Sequence, residues 1–337
     1  MTIGRGAAIF GCAGPALTPQ EADFFRDFDP FGFIIFARNV ETPDQLRRLT
    51  QDLRAAVGRD APVLVDQEGG RVQRLRAPYW REWDPPLDTV LRAGRNAARA
   101  MAVRTMIMAA ELRGVGIDAN CAPIADIATD LTHPFLRNRC YGNDAETVTK
   151  IARNVADAHL AMGVLPVIKH LPGHGRANAD THHDLPSVTA GMPELIATDF
   201  APFRALNDLP MAMTAHIIFA AVDPVHPATQ SREMIKVIRE TIGFSGLLMT
   251  DDLNMNALAG DLSDRTAKSI AAGCDIALHC KGDLDQMIAV AIAAGDMTRA
   301  AQTRASAALA CRGAAKDVDI AALQAEFSQL MGQVSHG

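Results

Sequence analysis

Eight short apolar runs of strand length recur along the chain with helix-patterned stretches between them, and this alternation restricts the available folds more than any other feature. The runs are Ala7–Cys12, Gly32–Phe36, Pro62–Val65, Ile117–Ala122, Leu165–Ile168, Pro210–Thr214, Gly246–Met249 and Asp275–His279. Helical patterns cover Thr42–Val57, Asp88–Gly114, Ala145–Gly163, Pro193–Leu206, Ser231–Ile242 and Ser263–Ala272, some opened by Thr, Asp or Ser, whose side-chain oxygen accepts a first-turn N–H. Runs such as Gly-Phe-Ile-Ile-Phe and Pro-Val-Leu-Val lack polar alternation, which suits strands buried on both faces. Alternating strand and helix units make a parallel sheet, and eight of them predict a closed (β/α)8 barrel of the TIM type. Beyond Gly282, helical stretches at Asp285–Ala294, Thr298–Cys311 and Ile320–Met331 predict a C-terminal extension (283–337) packed on the barrel. No linker interrupts 1–337, which therefore reads as a single domain.

The chain has 337 residues, 48% hydrophobic and 21% charged, the balance of a globular protein with a large core. A net charge of −6 gives no support to a phosphate-backbone partner, which calls for clustered Lys and Arg, so no nucleic-acid partner is expected. The N-terminus shows no signal-peptide pattern and no run of about 18 apolar residues occurs. A cytoplasmic monomer with no membrane partner is the expectation. Cys12, Cys121, Cys140, Cys274, Cys280 and Cys311 form no CxxC pair and read as buried free thiols.

Polar residues gather where the apolar runs end. Asp66 and Glu68 follow the third, Asp126 lies beyond the fourth, Lys169 and His170 end the fifth, His216 follows the sixth, and Asp251 and Asp252 end the seventh. A barrel builds its active site at that face, so the placement predicts catalysis as well as fold. The densest stretch is Val167–Pro186, which holds Lys169, His170, His174, Asp180, His182, His183 and Asp184. In Asp180-Thr-His182, side chains two apart share a side of an extended loop, so the carboxylate can orient and charge-tune an imidazole that gives and takes a proton. Of the two acids in Thr250-Asp-Asp252, alternation points only one at the barrel axis. Asp251 is read as that one, and Asp252 as a helix N-cap.

Four segments together, Asp66-Gln-Glu-Gly-Gly-Arg-Val, Lys169-His-Leu-Pro-Gly-His-Gly175, Asp180-Thr-His182 and Thr250-Asp-Asp-Leu-Asn-Met255, resemble the NagZ-type N-acetyl-β-glucosaminidases of glycoside hydrolase family 3. The resemblance runs in order from about Phe31 to Cys280; Leu171 stands where the family more often has Phe. It implies a retaining β-N-acetylglucosaminidase in which Asp251 is the nucleophile, His182 the general acid/base and Asp180 its support. Asp66, Arg74, Arg139, Lys169 and His170 match positions that bind the terminal sugar. The implied substrates are peptidoglycan fragments, GlcNAc linked to 1,6-anhydro-N-acetylmuramic acid or its peptides, in cytoplasmic recycling. Neither cofactor nor metal is implied.

Alternatives of other kinds remain open to the sequence. A β-glucosidase or a phosphorylase of the same family would use the same residues, a binding barrel would not need the Asp251 and His182 pair, and His170, His174, His182 and Asp180 are chemically suited to zinc. Trp80 and Trp83 are the only tryptophans for sugar stacking, which argues for small fragments over an extended polysaccharide. His182 falls in a connection of about twenty residues, longer than usual, and a flap that brings it to the sugar is predicted.

Overall fold

The computed structural model describes residues 2–130, 132–177 and 185–332, and all eight expected strands form within them. β1 (Gly6–Gly11), β2 (Pro30–Ile35), β3 (Val63–Val65), β4 (Ala119–Asn120), β5 (Leu165–Leu171), β6 (Met211–Thr214), β7 (Leu247–Asp252) and β8 (Ile276–His279) are hydrogen-bonded in chain order, and β8 closes on β1. Every neighbouring pair is parallel. This is the (β/α)8 barrel that the alternation predicts. All residues of these strands are buried except Asp251 and Asp252 at the end of β7.

The helices start where the caps are written. Thr42, Asp144, Asp261 and Thr298 each accept the backbone N–H three residues on, which satisfies a donor that the first turn cannot. The stretch Asp88–Gly114 is two helices, Pro86–Ala93 and Ala97–Arg113, joined by a single turn. Pro193–Leu206 also divides, into Met192–Ala197 and Ala201–Ala205, because Pro202 has no N–H and fits only a first turn. A helix at Pro19–Phe28, absent from the sequence reading, is opened by a Thr18–Glu21 capping box.

After β8, Leu284–Ala294 packs against β1. The Ala7 amide donates to the Gly295 carbonyl and the Met297 amide to that of Arg5, which pins the chain to the barrel's first strand. Ile320–Gly332 lies on Ala97–Arg113, with Phe327 edge-on to Trp83 at 5.5 Å and Glu326 paired to Arg99 at 2.6 Å. Five of the six cysteines are buried free thiols. Cys311, at the end of the helix Arg299–Ala310, is exposed. No helix among the described residues is long and apolar enough to cross a membrane.

Candidate active site

Two strands depart from regular pairing at the residues that matter. Between the pairs Ile168↔Ala212 and Leu171↔Thr214, β5 holds one residue more than β6. Between Met249↔Ile276 and Asp252↔Leu278, β7 holds one more than β8. A bulge breaks the alternation of faces and re-aims side chains. Consequently Lys169 and His170 both line one cavity, and so do Asp251 and Asp252. The expectation that only one of the two acids faces inward is therefore corrected. Asp252 is not a helix N-cap either: its carboxylate accepts the amides of Asn254 and Cys280, both at 3.2 Å, while the next helix begins at Leu262 and is capped by Asp261.

The cavity encloses about 190 Å³ at the C-terminal mouth of the barrel. One wall is a chain of charges. Lys169 Nζ donates to Asp66 at 2.8 Å and reaches Glu68 at 2.7 Å; Arg74 donates to the other oxygen of Asp66 at 3.0 Å. Arg139 grips Glu68 with two bonds of 2.8 Å. Burial would raise both carboxyls, but the adjacent cations outweigh it. Lys169 and Arg74 hold Asp66 well below the usual range, and Arg139 and Lys169 hold Glu68 at about 2. Burial would likewise lower Lys169, yet Asp66 and Glu68 raise it, so the ammonium stays charged.

The loop that carries Glu68 is held from behind. Arg104, buried in the helix Ala97–Arg113, donates to the Glu68 carbonyl and to Thr89, each at 2.6 Å. Gly69 permits this: its φ is +104°, and a Cβ there would sit 1.8 Å from the Arg104 guanidinium.

Glu68 makes a checkable contribution to stability. Its folded pKa lies below the ordinary value near 4.5, so its stabilisation is complete above that pH and is lost as the pH falls from 4.5 toward 2. Melting temperatures of wild type and Glu68→Gln should differ by a constant gap above about pH 5 that narrows through that window. A gap independent of pH would contradict the ion-pair account.

Across the cavity, Asp126 organises two imidazoles. Its carboxylate takes His170 Nδ1 at 2.7 Å and the amides of His170 and His174 at 3.2 and 2.7 Å. Burial, then the neighbouring His170, pushes His174 down to about 4, so that ring is neutral at pH 7. Asp251 accepts the Asp252 amide at 2.8 Å. Burial would raise this carboxyl too, but His170, His216, that amide and Lys169 together hold it below the ordinary value. An ionised carboxylate thus faces a polar cavity that opens at the barrel's mouth. The phenylalanine surfaces of the cavity are Phe36 and Phe135; Trp80 and Trp83, the two tryptophans available for stacking, are buried elsewhere.

The cavity thus brings carboxylates, cations and imidazoles together at the C-terminal face of the barrel. The profile of the glycosyl hydrolase family 3 N-terminal domain matches residues 24–309. The chain belongs to glycosyl hydrolase family 3. As a member of that family, it is a glycoside hydrolase. Among the relatives of this family 3 hydrolase, the beta-hexosaminidase of Bordetella avium is 36% identical over 284 residues, 82% of this chain and 80% of that one. The Pseudomonas aeruginosa beta-hexosaminidase is 33% identical over 290 residues, 85% and 86% of the two chains. Among solved structures, NagZ from Neisseria gonorrhoeae in complex with N-trifluoroacetyl-D-glucosamine superposes with a TM-score of 0.81 at 28% identity, covering 98% of this chain and 97% of that one.

Five of the residues singled out in the sequence of this family 3 hydrolase, Asp66, Arg74, Arg139, Lys169 and His170, line the cavity together with Asp251. Asp180 and His182 lie outside the described residues, as do residues 178–184 of the predicted flap. Of the zinc-ligand alternative only His170 and His174 are described, and Asp126 occupies His170 Nδ1. Glu68 and Asp126 were visible as acids past strand ends, but not as the partners that hold Arg139, Lys169 and His170. Arg104 carried no signal at all, being one arginine within a helical pattern.

Proposed function

We propose that this hydrolase is a retaining exo-β-N-acetylglucosaminidase that releases terminal GlcNAc from small peptidoglycan fragments, GlcNAc-1,6-anhydroMurNAc and its peptides, in cytoplasmic cell-wall recycling, acting as a monomer. The observation that carries this reading is the ionised Asp251 facing a cavity of about 190 Å³ whose opposite wall is the Asp66–Lys169–Arg74 cluster. That volume is below the roughly 300–1,000 Å³ of drug-sized sites, which suits one terminal sugar and not a run of them. The relatives' beta-hexosaminidase names and the amino-sugar complex of the Neisseria protein support the N-acetyl sugar over glucose.

Chemically, the Asp251 carboxylate attacks the anomeric carbon and forms an ester to the sugar as the glycosidic C–O bond breaks. His182, oriented by Asp180, gives its proton to the leaving oxygen. The same imidazole then takes a proton from water, which attacks the anomeric carbon and displaces Asp251. Two inversions return the β configuration. Asp66 and the cations around it bind the sugar hydroxyls, since a carboxylate takes two hydroxyl donors while Lys169 and Arg74 donate.

Release of nitrophenol from the aryl β-glycosides of GlcNAc and of glucose tests the proposal. Turnover of the first at least about 100-fold above the second is expected, since a site built to pair a polar group rejects the analogue without it. Sugar release that depends on added phosphate would instead indicate a phosphorylase, and equal turnover of both a β-glucosidase.

A further inference from the structure

The β6–β7 ladder runs only to the pair Met213↔Met249, although the next residues of β7 carry the carboxylate of the cavity. On the β6 side a side chain takes over. His216, two residues past β6 and 0% exposed, places Nε2 at 3.1 Å from the carbonyl oxygen of Asp252. A carbonyl only accepts, so Nε2 carries the proton and donates. At the opposite edge of the ring Nδ1 lies 2.7 Å from Thr229 Oγ1, which is itself 2.8 Å from Thr214 Oγ1. Burial lowers the pKa of this imidazole against the pull of Asp251, and Thr229 Oγ1, which donates to the Ala215 carbonyl at 3.0 Å, holds the Nδ1 edge of the ring in place.

On the β8 side the same bulge is held by two more side chains. Thr250 Oγ1 accepts the Leu278 amide at 2.9 Å, and the Asp252 carboxylate accepts the Cys280 amide at 3.2 Å. The extra residue that aims Asp251 into the cavity is thus secured by side chains on both flanks, because regular ladder bonds cannot span it. The flank toward β6 rests on one imidazole that does not itself line the cavity.

We infer that His216 is a positioning residue for the nucleophile: through the Asp252 carbonyl it fixes the bulged end of β7 and, with it, the attack geometry of Asp251. The inference rests on the reading of Asp251 as nucleophile. Its size follows from the sensitivity of reaction to alignment, where a displacement of about 1 Å costs on the order of 10²-fold in rate.

Two substitutions separate the hydrogen bond from the bulk of the ring. His216→Phe keeps a ring and removes the donor, whereas His216→Gln keeps an N–H donor. On the nitrophenyl glycoside of GlcNAc, His216→Phe should lower kcat about 10²-fold while KM moves less than about threefold, and His216→Gln should return kcat to within about tenfold of wild type. Wild-type kcat in His216→Phe, or equal losses in both variants, would overturn the inference. If His216→Phe does not fold, Thr229→Val carries the test: it removes the hydroxyl that orients Nδ1, and kcat should fall about tenfold at unchanged KM. Unchanged kcat there would overturn the inference. Asp251→Ala assayed alongside separates the two levels. An inactive Asp251→Ala with a fully active His216→Phe overturns only the positioning role, whereas an active Asp251→Ala overturns the nucleophile and the inference together.

Discussion

Asp251→Ala should reduce kcat on the nitrophenyl β-glycoside of GlcNAc by about 10⁴-fold or more, with the protein still folded. Removing a nucleophile abolishes the covalent route, and losses of this order follow elsewhere when one is deleted. Folding should survive because Asp251 accepts one backbone amide and is only partly buried at the mouth of the cavity. Sodium azide supplies the control. A small anion that enters the space left by the carboxylate should restore turnover and yield the α-glycosyl azide, the product of a single inversion. Full activity in the variant, or rescue that gives the β-azide, would remove Asp251 from the nucleophile's role.

Lys169→Met should be the most damaging change on the opposite wall. The ammonium lies between Asp66 and Glu68 at 2.8 and 2.7 Å, with its side chain 2% exposed. Methionine fills similar space but leaves two buried carboxylates facing each other, and breaking a buried ion pair from one side costs about 3–5 kcal/mol. We expect that loss of unfolding free energy and a fall in kcat/KM of at least about 100-fold, the worth of a charge-assisted bond to the sugar. Acid provides the diagnostic. Without the ammonium, Asp66 and Glu68 keep Arg74 and Arg139 but lose the charge between them, so their depressed pKa values move back up and less stability is lost in acid. The melting temperature of Lys169→Met relative to wild type should therefore rise as the pH falls from about 4.5 toward 2. A deficit constant over that range would point to packing instead of charge.

Much of the architecture is legible from order along the chain. Each strand needs only a short apolar run, and each helix a cap and an amphipathic face, so Thr42 and Thr298 mark starts that the fold keeps. The side of the barrel that carries the site is legible for the same reason: Asp66, Lys169 and Asp251 stand at the ends of apolar runs, and parallel strands bring all their ends to one face. What the alternation of faces misread was Asp252. One residue of surplus in β7 exists only relative to β8, which is paired to it from another part of the chain.

The partners of the site residues depend on the same long-range geometry. Lys169 meets Asp66 across 103 residues of sequence, and Arg139 meets Glu68 across 71. Neither separation predicts contact, because proximity comes from closure of the barrel and from loops over its mouth. Phe36 and Phe135 replace the tryptophans as cavity walls for a similar reason. Trp83 is claimed by Phe327, from a helix near the end of the chain that no local pattern ties to it.

The sequence by itself determined the eightfold alternation, the buried strands, the face that bears the polar residues and the residue types available for glycoside chemistry. These are properties of neighbours along the chain, set by hydrophobic period and by capping. Tertiary structure alone decided which charges neutralise one another, that Asp251 and Asp252 both reach the cavity, and that His216 holds the strand end between them and β6. Electrostatic and hydrogen-bond energies act over a few ångströms in space, and only the closed barrel sets those distances.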